Sequence, residues 1–197
     1  MTPKQAERIK TKITKIKAAL AADKKYWGGY YHDGSGLRYL PPQHYIKLGD
    51  YSGGLRYLNW FKKNFPDDAC YAEFLFEWSV ILFKTGRLKE AEKKAVEAYC
   101  ENTYIFDKLF SRPMIEIDKW ESSLMESKDY AMNHFSYSGK EEQLADFMLW
   151  LEKITTTDKF VTFSSKFISI KLALKTEKEP KKRMALLDEE RKITEAY

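Results

Sequence analysis

Residues 45–68, YIKLGDYSGGLRYLNWFKKNFPDD, open on a Gly-Asp turn and close on Pro-Asp-Asp, with Gly49 and Pro66 standing 17 residues apart. Between them Leu55, Leu58, Phe61 and Phe65 recur at helical spacing, which predicts a helix with one apolar face. Pro66 stops that helix, and the aspartates after it cap the next one. Upstream, Pro41-Pro42 favours a helix that begins there and runs through QHYIKL to Leu48. Two helices joined at Gly49 make a hairpin.

A second hairpin comes next. FLFEWSVILF at 74–83 is apolar on nearly every side, so its helix should be buried between neighbours. Thr85-Gly86-Arg87 turns the chain, and LKEAEKKAVEAYC reads as an amphipathic helix with Leu88, Ala91, Ala95 and Ala98 inward. The turn glycines Gly49 and Gly86 lie 37 residues apart. Each is followed two residues on by a large side chain, Tyr51 or Leu88, and five residues on by a small one, Gly54 or Ala91. Small residues there let antiparallel helices approach closely, and glycine supplies the turn conformation.

Over residues 37–103 this pattern resembles a degenerate tetratricopeptide repeat. Tyr45, Tyr51, Gly54, Leu58, Phe61 and Pro66 align with one unit, and Leu82, Leu88, Ala91, Ala95 and Ala98 with the next. The sequence departs from the family at Pro42 and Phe61, where the family places small residues, and at Thr103, where it places the closing proline. The resemblance implies an all-α fold of antiparallel helix hairpins, stacked as a short TPR-like array with capping helices. It implies a non-catalytic module that binds a protein or peptide in a groove lined by first helices. Carried over, the groove residues are Tyr39, Gln43 and Ile46 from one unit, and Glu73, Phe76, Val80 and Phe83 from the next. Gln43 and Lys47 offer polar groups to a peptide backbone. The apolarity of the 74–83 helix makes core an alternative for part of the second set.

The flanks read as helices too. Thr2-Pro3-Lys4-Gln5 is a capping box with proline at the first helical position, and Ile9, Ile13, Ile16 and Leu20 form one stripe ending near Asp23. YWGGYYHDGSG at 26–36 is an irregular connector, expected to pack Trp27, Tyr30 and Tyr31 between the first helix and the array. Residues 103–137 have no clear rhythm. Ser138 to Glu141 form a second capping box, expected to open a helix to about Ile154. Thr157 starts another through Lys175, and Pro180 the last, with Met184, Leu187 and Ile193 inward. One domain, 1–197, is expected, made of a basic helix at 1–25, the hairpins at 37–103 and terminal helices at 138–197.

Charge and motifs narrow the function. Residues 1–25 carry eight basic and two acidic side chains, so the net +5 of the chain sits at its head and the rest is near neutral. A folded nucleic-acid face usually carries its own charge, so nucleic acid is an unfavoured partner. A nucleic-acid-associated factor using the basic helix stays as the alternative. No apolar run is long enough to span a membrane and no secretory signal is visible, so a cytoplasmic protein is expected. Cys70 and Cys100 lack Cys-x-x-Cys spacing, and His32, His44 and His134 form no metal pattern, so neither metal nor cofactor is expected. The glycine-rich connector lacks the Gly-Lys-Ser/Thr of a phosphate loop, though His32 and Asp33 leave a binding loop open. No nucleophile motif is present, and an enzyme would need a site assembled from scattered residues. Glu77, inside the apolar helix, requires a partner, and Arg38 and Arg56 are the expected ones.

Overall fold

The computed structural model describes residues 1–118 and 123–197, and among them all regular structure is helical. The chain divides into two compact units: residues 1–69 with 80–88, and residues 70–79 with 89–197. The division falls inside the second hairpin rather than at a linker.

In the first unit, α1 (Pro3–Tyr26) begins as its sequence dictates. The Thr2 N–H donates to Gln5 Oε1 at 2.7 Å, and the Gln5 N–H donates to Thr2 Oγ1 at 3.2 Å. Ile13 and Leu20 are buried, while Ile9 and Ile16 are half-buried. α2 (Pro41–Leu48) ends at Gly49, which adopts φ 68°, and the N–H groups of Gly49 and Asp50 return to the carbonyls of Ile46 and Tyr45. This left-handed cap closes the orphan carbonyls of the helix end. Asp50 then caps α3 (Tyr51–Asn64) by accepting from the Gly53 N–H at 2.8 Å. α3 folds back on α2 and meets α4 (Ala72–Lys84). A Cβ on Gly54 would stand 2.8 Å from Ile81 Cδ1 and 3.2 Å from Tyr45 Cβ, so close approach requires the glycine.

α4 is buried at every position from Ala72 to Leu82, as its all-round apolarity predicts. α5 (Leu88–Glu101) returns along it, with the Ser79 hydroxyl donating to the Ala91 carbonyl at 2.8 Å. Ala91, Ala95 and Ala98 are buried, but Leu88 is half exposed, because as the first residue of α5 it lies beyond the packed face.

The second unit adds α6 (Tyr104–Leu109), α7 (Lys128–Asn133), α8 (Ala145–Thr155), α9 (Asp158–Thr176) and α10 (Pro180–Ala196). Only part of the second capping box forms as expected. The Ser138 N–H donates to Glu141 Oε1 at 2.7 Å, but a 3₁₀ turn over 142–144 intervenes before α8. α9 is capped by Thr157, which accepts from the Phe160 N–H. α10 corrects an expectation: Met184 and Leu187 face solvent and Ile193 is half-buried. Its inner seam is polar, with Lys171–Glu190 at 2.7 Å and Lys166–Glu189 at 2.8 Å, and the Tyr197 ring lies 5.0 Å from that of Phe163.

Candidate functional site

The residues assigned to a groove from sequence part company. Glu73 and Phe76 are covered by the chain itself. The Glu73 carboxylate accepts from the Tyr130 hydroxyl and the Ser136 N–H, each at 3.3 Å. The Phe76 ring packs on Phe135, Tyr137 and Phe147 at 5.3, 5.0 and 5.5 Å. Val80 and Ile46 are fully buried, Phe83 and Gln43 half-buried, and Lys47 exposed. Glu73, Phe76 and Val80 are therefore core, because a helix apolar all round finds neighbours on every side, and Ile46 is core on the buried face of α2.

Tyr39 belongs to a polar cluster. Its hydroxyl donates to Asp68 Oδ1 at 2.5 Å and accepts from Arg38 Nη2 at 2.9 Å. Arg38 also reaches Asp68 at 2.8 Å and Asp33 at 3.0 Å. Burial, followed by the Asp68 hydrogen bond, pushes the Tyr39 phenol up, so it stays protonated. Asp68, expected as a helix cap, serves this cluster. Asp33 accepts from the N–H groups of Leu37 and Arg38, and Asp23 holds those of His32 and Asp33. The 26–36 connector is thus a braced turn whose amides bind the chain's own carboxylates. Its aromatics are placed differently from expectation: Tyr31 packs on Trp60 and Phe65, while Tyr26, Trp27 and Tyr30 stay exposed.

Glu77 is buried, as expected, and the Tyr137 hydroxyl donates to it at 2.8 Å. Of the two expected arginines, Arg38 is engaged by Asp33 and Asp68, and Arg56 is exposed.

The concave surface of the first unit lies elsewhere. A cavity of about 380 Å³ is walled by Tyr31, Tyr57 and Trp60 and rimmed by Lys17, Ala21 and Arg56. A second, of about 580 Å³, has Ile13, Tyr45 and Leu48 in its walls, with Ala6, Lys10 and Lys17 from α1. Lys17 lines both, its ammonium 5.5 Å from the Tyr45 ring and 6.0 Å from that of Tyr57. Both border α1, and together they are called the α1 groove below. Tyr57 is fixed by donating its hydroxyl to the Arg38 carbonyl at 2.6 Å, and burial raises its phenol's pKa. Sequence reading singled out neither Lys10 nor Lys17. The signal it lacked is pairing: which aromatic residues of α2 and α3 face the basic helix.

Acid–base groups collect in the second unit. Cys100, Glu101, Asp118, Glu126 and Lys171 line a cavity of about 40 Å³. Burial, and next the charge of Glu126, raise the Glu101 carboxyl to about 7. A space of that size suits roughly one or two waters rather than a substrate. His44 is pushed down by burial and by Lys47 and Lys12, so it is neutral at pH 7. Among the described residues no group of three or more His, Cys, Asp or Glu could hold a metal ion, and no helix is long and apolar enough to cross a membrane. Comparison of the chain with protein-family models, curated proteins and solved structures returns no match.

Proposed function

We propose that this chain is a non-catalytic binding module, TPR-like in its two central hairpins, that holds a protein or peptide partner in the groove along α1. The carrying observation is that groove: two cavities along α1 that share Lys17, one walled by Tyr31, Tyr57 and Trp60 and the other by Ile13, Tyr45 and Leu48. Left-handed glycines at both hairpin turns, with small residues five positions on, support the repeat reading. The groove expected from that resemblance lies partly in core, so the docking surface moves to the face between α1 and the α2–α3 hairpin. Pockets that bury a ligand are commonly apolar with a few polar groups at the rim, and this one fits that description.

The test is selection of displayed peptides on the immobilised chain, repeated on Trp60→Ala and Tyr31→Ala variants that retain the native helical spectrum. Enriched peptides should lose binding on both variants. Peptides that bind those variants unchanged would place function on another surface, with Tyr39, Gln43 and Lys47 the next to replace.

A further inference from the structure

We infer that the α1 groove takes an acidic peptide segment of about seven residues that carries one aromatic side chain. The inference rests on the binding reading above and names the chemistry of its partner.

Charge carries the first part. Lys10, Lys17 and Arg56 line the groove, and none of them pairs with a carboxylate among the described residues. Lys17 instead lies over two tyrosine rings, an arrangement that leaves its charge unneutralised. The acidic residue lining the groove is Asp50, whose carboxylate is engaged by the Gly53 N–H at the start of α3. Three unpaired cations over an aromatic floor are complementary to carboxylates, which gain charge-assisted hydrogen bonds there.

Shape carries the second part. α1 borders the groove from Ala6 to Ala21, a length of about 22 Å at the rise of an α-helix. An extended chain advances about 3.3 Å per residue, hence the segment length. The 380 Å³ cavity at the Ala21 end falls within the size that encloses a compact ligand, and its walls are Tyr31, Tyr57 and Trp60. An aromatic side chain is the occupant that matches those walls.

The same charge would attract a single-stranded nucleic acid, but the rings argue for peptide. Base stacking needs free ring faces. Here Tyr31 and Tyr57 each pack on Trp60, at 5.6 and 5.2 Å, and Trp60 also packs on Phe65. They form a wall rather than a set of platforms.

The experiment is fluorescence anisotropy on the full chain with four labelled probes. These are the peptide Asp-Glu-Asp-Trp-Glu-Asp-Glu, the same peptide with lysine for every acid, the same with alanine for tryptophan, and a short oligothymidylate. The acidic tryptophan peptide should bind tightest, and losing its tryptophan should weaken it by about tenfold. Lys17→Glu with Arg56→Glu should weaken it by at least about tenfold and shift preference to the lysine peptide. Both side chains are exposed, and the milder Lys17→Gln with Arg56→Gln should give an intermediate loss. Equal binding of acidic and basic peptides, or indifference to charge reversal, overturns the inference. Tighter binding of the oligothymidylate overturns it in favour of nucleic acid. Displayed peptides that depend on Trp60 without acidic enrichment would leave the binding reading standing and this inference refuted. Displayed peptides independent of Trp60 and Tyr31 would remove both.

Discussion

Tyr137 donates its hydroxyl to Glu77 across 2.8 Å, where both side chains are buried. Replacing Tyr137 with Phe keeps the ring against Phe76 and removes a donor from a buried carboxylate. Such a loss should cost ~1–3 kcal/mol, read as a lowered denaturant midpoint at unchanged slope. An unchanged midpoint would show that the hydroxyl contributes nothing net.

The same phenol sets a pH dependence. Burial, then the Glu77 charge, hold its pKa well above 10. The folded chain therefore keeps this proton more tightly than the unfolded chain. The stabilisation is complete below pH 10 and is lost as pH rises past that value. Thermal melts of Tyr137→Phe above pH 10 should fall less steeply than those of the unaltered chain.

Arg38 joins Asp33 and Asp68, both carboxylates being largely buried. Arg38→Met removes the guanidinium that both carboxylates contact and should cost ~3 kcal/mol or more by chemical denaturation.

Gly86 separates backbone strain from packing. It has φ 78°, and a Cβ built on it would meet nothing within 4 Å. Gly86→Val should therefore destabilise by ~1–2 kcal/mol through conformation alone. Gly86→Asn should cost less, because asparagine tolerates the left-handed region. Equal melting of the two variants would contradict this.

Cys100 is a test of reactivity. Burial pushes its thiol up to about 12. Its thiolate fraction at pH 8 is then on the order of a thousandfold below that of a free cysteine. Native chain should react with a thiol reagent correspondingly slowly, and Cys70, which is buried, should lag as well. Both should react promptly in denaturant.

Local signals were legible. The Thr2–Gln5 box, the Gly49 turn and the solid apolar run of α4 each specify their structure from a few neighbouring residues. Residues 103–118 and 123–137 were not, because partners distant in sequence hold them. Lys108 Nζ donates to the carbonyls of Ala131 and Phe135, Asn102 Nδ2 to those of Met125 and Ser127, and the Ile117 N–H to the Tyr104 hydroxyl. α10 misled for a different reason. Its inner face is a salt-bridged seam, so hydrophobic periodicity pointed to the wrong side. Lys17 and Trp60 share a groove only after α1 docks on the α2–α3 hairpin. No spacing within one helix announces that.

The segment 130–137 that covers Glu73 and Phe76 is covalently joined to the helix it covers. A tethered occupant acts at an effective concentration on the order of millimolar. A free peptide competing for that face of α4 must overcome this local excess, however scarce the protein is. Dilution, which strips the partner from an ordinary two-body complex, leaves this occupancy unchanged.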